Sequence, residues 1–133
     1  MHARTTLMIA AIAGFLAVAL GAFGAHGLKN LVSADMLKVY QTGVQYHLVH
    51  ATVLLGLGVW QAVNRQAAVA TWLSRASWLM IIGLLLFSGS LYLLTMTGIR
   101  PLGIITPFGG TSWLAGWVCV LLAARQLPRQ QNS

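Results

Sequence analysis

Between residues 7 and 25 the chain reads LMIAAIAGFLAVALGAFGA, nineteen positions without a charge, and three more long charge-free runs follow it. A helix of that length measures about 28 Å, close to the roughly 30 Å hydrocarbon core of a bilayer. Inside a bilayer no water is available to satisfy the backbone. Only helices and closed barrels can then cross, and these runs are too long for barrel strands. The sequence therefore predicts an all-α polytopic membrane protein, a four-helix transmembrane bundle that forms one domain over residues 1–133. Composition points the same way. Of the 133 residues, 58% are hydrophobic and 7% charged, more apolar surface than a soluble domain of this size can bury.

The spans are expected at about 5–25, 42–63, 76–97 and 106–127. A cleavable signal peptide is the competing reading of the first, because Arg4 precedes it and small residues follow at 22–24. Its apolar run exceeds the 7–15 residues of a typical signal core, so it is read as a retained anchor. Residues 27–33 form a loop that ends at Ser33, a plausible N-cap, with Asp35 in the favourable first turn of the next helix. That helix begins outside the hydrocarbon and carries its polar segment across the interface. Trp72 and Arg75 suit an interfacial belt just before the third span. Thr106 and Pro107 read as N-cap and first helical residue of the fourth span, which ends near Leu127 before Pro128.

The formal net charge is +7. The eight basic residues are scattered between apolar runs and form no stripe interleaved with aromatics, so no nucleic-acid partner is expected. They read as topology signals. Arg4, Arg65, Arg75, Arg125 and Arg129 lie on one side, and Lys29, Lys38 and Arg100 on the other with the sole acid, Asp35. The bias places both termini in the cytoplasm. Cys119 is the only cysteine, so no internal disulfide can form, and mid-span it acts as a small hydrophobe.

The unusual residues collect in four strings: GAFGAHGL at 21–28, YQTGVQYHLVH at 40–50, FSGSLY at 87–92 and TPFGGTSWLAGW at 106–117. With this topology all four fall in or near the outer half of the bundle. Taken in order, they resemble the YgdD-like family of small bacterial inner-membrane proteins, a domain of unknown function with a related transmembrane protein in animals. The resemblance covers most of the chain. It implies a four-span integral membrane protein and supplies no catalytic residue.

Small residues at helical spacing account for many of the glycines. Ala10, Gly14, Ala17, Gly21 and Ala25, with Gly24 nearby, predict a packing seam on the first helix, and Ser112, Gly116, Cys119 and Ala123 predict one on the last. On the second helix Tyr40, Gly43, His47, His50 and Leu54 share one face. Polar groups inside a membrane turn toward the bundle, so His47 and His50 are expected to point inward toward His26, Ser88, Ser90 and Tyr92, with Tyr46 beside them.

Three functions compete for that cluster. In the favoured one the imidazoles and hydroxyls hydrogen-bond across helices, and the protein is a non-enzymatic structural or assembly module without cofactor or metal. Its partners are then the lipid bilayer and other membrane proteins or a second copy. In the alternative, His26 with His47 or His50 binds a metal or haem, or the outer cavity takes a quinone or lipid. Against metal, histidines three residues apart are not a specific zinc pattern, and no carboxylate or cysteine pair completes a shell. A small transporter or channel subunit is the third reading, although no charge lies within a span and no pair of broken helices marks a substrate site. A single carboxylate also leaves no acid/base pair for an enzyme.

Overall fold

A computed structural model describes residues 1–130. Ser133, the C-terminal residue, lies outside them. Four long helices build the chain: α1 over Ala3–His26, α2 over Ala34–Val63, α3 over Ala67–Thr97 and α4 over Thr106–Arg125. All four fall within stretches long and apolar enough to cross a membrane, and no strand occurs among the described residues. α1 packs along α2, and α3 along α4. The contact of α2 with α3 joins the two hairpins.

The turns follow from local chemistry. At the start of α2 the Ser33 hydroxyl accepts a hydrogen bond from the Met36 amide at 3.2 Å, the expected N-cap. The 27–33 connection contains one 3-10 turn, Leu28–Asn30, and Leu28 is buried. Between α2 and α3 the Asn64 side chain bonds the Gln66 amide and carbonyl, closing a tight turn. α3 ends where Gly98 takes φ of +70°, the only positive φ in the chain outside the undescribed tail, and its amide bonds the Leu94 carbonyl. A side chain there would be strained, which is why glycine stops this helix.

Two expected boundaries shift. α3 starts at Ala67 instead of about 76, because Val69 and Leu73 are fully buried and give the preceding turns a packed face despite Arg75. The Arg75 guanidinium lies over the Trp72 ring at 4.7 Å, as suits a residue pair near an interface. Thr106 is the first residue of α4 instead of its cap, and the helix ends at Arg125.

α3 is not uniform. Residues Leu84–Ser88 form a π-turn, in which the Gly89 amide bonds the Leu84 carbonyl five residues back. The reason lies across the interface with α4. A Cβ on Gly109 would overlap the backbone at Leu86 and Phe87, so the two helices meet backbone to backbone there. One turn on, the Trp113 ring sits directly on Gly83. No sequence pattern marked this π-turn.

The packing seams are largely as expected, with one correction. On α1 the buried residues are Thr6, Ala10, Ala13, Ala17 and Gly24. A Cβ on Gly21 would meet Val44 at 3.2 Å, and one on Gly24 would run into the Tyr40 ring. Gly14 meets nothing within 4 Å and Ala25 is exposed, because the seam drifts across the helix face over six turns. On α4 Gly116, Cys119 and Ala123 are buried against α3, and Gly116 faces Met80 and Leu79. The outward faces are apolar throughout: Phe15 is 74% exposed and Leu114 69%. Those faces need lipid against them.

Candidate functional site

The site grows from the inward face of α2. Tyr40, Gly43, His47, His50 and Leu54 are all buried, as their 3-4-3-4 spacing requires. Opposite them on α3 stand Ser88 and Tyr92, one turn apart. Ser88 donates to the Gly43 carbonyl at 2.8 Å, and the Tyr92 hydroxyl pairs with His47 Nδ1 at 2.8 Å. Two residues four apart on one helix thus clamp two residues four apart on the other. Gly43 makes this possible, since a Cβ there would press on the Tyr92 ring at 3.0 Å. Tyr40 extends the layer to α1 by donating to the Leu20 carbonyl, and its ring meets that of Tyr92 at 5.3 Å. Ser90 joins α3 to α4 through the Thr106 hydroxyl at 2.6 Å.

His50 is held differently. Its Nδ1 lies 2.8 Å from the Tyr46 carbonyl, which can only accept, so this nitrogen carries the proton. In the neutral imidazole Nε2 is then a bare acceptor. The ring stacks on Trp113 with centroids 3.8 Å apart and planes 3° from parallel. Trp113 is fixed in turn by its indole N–H, which donates to the Met80 carbonyl at 3.0 Å. Tyr46, 45% exposed, lies parallel to Trp113, and Phe87 tilts against both.

Two lateral grooves flank this layer. One, of about 430 Å³, lies between α2 and α4 and is walled by Tyr46, His50, Phe87, Trp113 and Trp117. The other, of about 270 Å³, lies between α1 and α3, with Ile9, Ile12, Leu16 and Leu85 among its walls and His47 and Tyr92 at its polar end.

One expectation about the cluster needs correction. His26 does not join it. As the last residue of α1 it is exposed, whereas His47 reaches the level of Ala13, about half the helix away. Along the bundle, His47 meets Tyr92 five residues before the end of α3, and His50 stacks on Trp113 seven residues after the start of α4.

The remaining expected residues fall where they can act together. Tyr46, His47, His50, Ser88, Ser90 and Tyr92 form one continuous layer, while Trp113, Phe87 and Gly109 were missed as members of it. In the sequence, Trp113 and Gly109 showed only in the aromatic–glycine mixture of residues 106–117, and Phe87 only as the first residue of the string at 87–92. Ser88 gives its proton to a backbone carbonyl and Ser90 is bonded to Thr106, so neither hydroxyl faces an imidazole. Among the described residues no three of His, Cys, Asp or Glu converge as a metal would require.

Four apolar helices tied to one another by side chain-to-backbone, hydroxyl–hydroxyl and imidazole–hydroxyl bonds define an integral α-helical membrane protein with a polar inner layer. Comparison with known proteins gives its family. The family model described as "Protein of unknown function (DUF423)" matches residues 20–110. The chain is 45% identical over 121 residues to UPF0382 membrane protein YwdK of Bacillus subtilis, covering 91% of this chain and 96% of that one. It is 42% identical over 130 residues to UPF0382 inner membrane protein YgdD of Escherichia coli K12, covering 98% and 96%. A further relative is UPF0382 membrane protein SSP2132 of Staphylococcus saprophyticus, 37% identical over 119 residues, covering 90% and 95%. No solved structure matches. The chain belongs to this DUF423, or UPF0382, family of membrane proteins.

Proposed function

We propose that the protein is a non-enzymatic structural or assembly module of the bacterial inner membrane. Its polar layer serves to fix one helix arrangement, and its partners are other membrane proteins or a second copy within the bilayer. The observation that carries this reading is the double clamp of Ser88 and Tyr92 on Gly43 and His47. A hydrogen-bonding group buried between these helices has no water to turn to. Misregistered packings therefore leave these groups unpaired, and only one packing satisfies them.

The test compares substitutions at His47. His47→Asn keeps a donor and an acceptor for the Tyr92 hydroxyl, whereas His47→Leu leaves that hydroxyl unpaired at a cost of about 1–3 kcal/mol. Unfolding in detergent should show the leucine variant clearly less stable than the asparagine one. The purified wild type should have no Soret band and no stoichiometric zinc, copper or iron. Equal stability of the two variants would defeat the proposal, as would a Soret band or metal content that either substitution removes.

Orientation is part of the same proposal. Arg4, Arg65, Arg75, Arg125 and Arg129 against Lys29, Lys38 and Arg100 place both termini in the cytoplasm. A reporter fused after Ser133 should be active as a cytoplasmic fusion, and one inserted within residues 27–33 as a periplasmic fusion. A periplasmic C-terminus would reverse the bundle.

A further inference from the structure

His50 has an acceptor that the fold does not use. Its Nδ1 is engaged by the Tyr46 carbonyl, and no protein group bonds Nε2. The ring is only 5% exposed. Yet the sole fully enclosed, unpartnered side-chain oxygen or nitrogen among the described residues is Gln61 Oε1, so His50 Nε2 keeps an opening. His50 lines the 430 Å³ groove and none of the four other cavities that α2 borders, so the opening is onto that groove.

The surroundings restrict what could meet this nitrogen. The groove is walled by Phe87, Trp113 and Trp117, and its rim includes Leu114 and Tyr46, both exposed toward lipid. Flat aromatic walls favour a flat ring. The volume lies in the range of small-molecule sites and holds a substituted ring with the first part of a tail. The ring stacks on Trp113, seven residues and so about 10 Å inside the start of α4, a level at which a phospholipid presents acyl chain and its headgroup, which stays at the interface, does not reach. Nor does bulk water. The ligand must dissolve in hydrocarbon, carry a planar ring and offer an O–H to an acceptor. A hydroquinone on an isoprenoid tail meets all three conditions.

We infer that the groove beside His50 is a binding site for a membrane-dissolved quinol, its ring against Phe87 and Trp117 and one phenolic O–H donating to His50 Nε2. The reduced form is selected. The corresponding quinone offers only carbonyl oxygens, which would face the bare nitrogen acceptor to acceptor. The imidazole cannot reverse its tautomer without setting Nδ1 lone pair against the Tyr46 carbonyl.

The experiment is equilibrium binding to the full-length protein in nanodiscs, with three probes: a hydroquinone carrying one isoprenoid unit, kept reduced; its oxidised quinone; and its dimethyl ether. The hydroquinone should bind saturably at one per chain, and the other two at least tenfold more weakly. His50→Phe keeps a flat ring on Trp113 and should bring the hydroquinone down to the level of the quinone. Gly110→Leu places a side chain into the groove, where its Cβ meets only the Phe87 edge at 3.8 Å, and should weaken binding at least tenfold without lowering unfolding temperature. Ile12→Trp, in the opposite groove, should leave binding unchanged. Non-saturable uptake, equal binding of hydroquinone and ether, full binding by Gly110→Leu, or loss of binding in Ile12→Trp would each overturn the assignment. Displacement of the hydroquinone by added phosphatidylethanolamine would overturn it too, and give the groove to a phospholipid.

Discussion

Replacing Gly109 by leucine should all but abolish the folded bundle, while the same replacement at the adjacent Gly110 leaves it standing. The two positions have the same intrinsic helix preference and lie in the same turn of α4, so propensity cannot separate them. Their surroundings do. A Cβ on Gly109 would overlap the main chain at Leu86 and Phe87, which can move only if α3 and α4 part, whereas Gly110 has an aromatic edge at ordinary contact distance. Overpacking against yielding side chains costs about 1–3 kcal/mol, and backbone cannot yield in the same way, so the loss at Gly109 should exceed about 3 kcal/mol. Unfolding in detergent, read by circular dichroism, measures both. If the two variants unfold together, the close approach of α4 to the π-turn is not present in the protein.

Trp113→Ala is the second large loss, expected at about 3–5 kcal/mol. Three contacts end at once: the ring leaves Gly83, His50 loses its stacking partner, and the indole N–H leaves the Met80 carbonyl. Trp113→Phe separates these effects. It keeps a flat ring in place and loses chiefly the indole bond. Met80 already accepts from the Leu84 amide, so its carbonyl is not orphaned and the cost should be about 1 kcal/mol. An alanine variant no less stable than the phenylalanine one would mean that the indole does not fill the space between α3 and α4.

Particular residues show which features were legible in sequence. The 3-4-3-4 spacing of Tyr40, Gly43, His47, His50 and Leu54 declared one inward face, and all five are buried. Ser33 capped its helix as its side chain and position require. The family resemblance rested on four short strings spread through the chain, and the relatives match over nearly its full length. By contrast, His26 was grouped with His47 and His50 because the topology put their segments together in the outer half of the bundle. Residue type carries no information about depth, and His26 lies at the end of α1 while His47 lies level with its middle.

The grooves and the π-turn were not legible for a related reason. Both arise where two helices distant in sequence come together. Gly109 touches Phe87, and His50 stacks on Trp113, across separations that no periodicity within one helix encodes. The glycines were visible as candidates for close approach, but which of them met backbone, aromatic ring or open space depended on the partner helix. Gly14 and Gly109 look alike in the sequence, and one faces nothing within 4 Å while the other bears on main chain.

What the sequence determined by itself was the environment and the count of helices. Apolar runs longer than a bilayer core is thick, with charges confined between them, permit no soluble fold and only one class of membrane fold. What only the tertiary structure decided was how the polar residues use one another. Hydrogen bonds need partners within about 3 Å, and the register between helices selects those partners. In this bundle that register gives His47 a hydroxyl across the helix interface. It leaves His50 with one nitrogen turned to a lipid-facing groove.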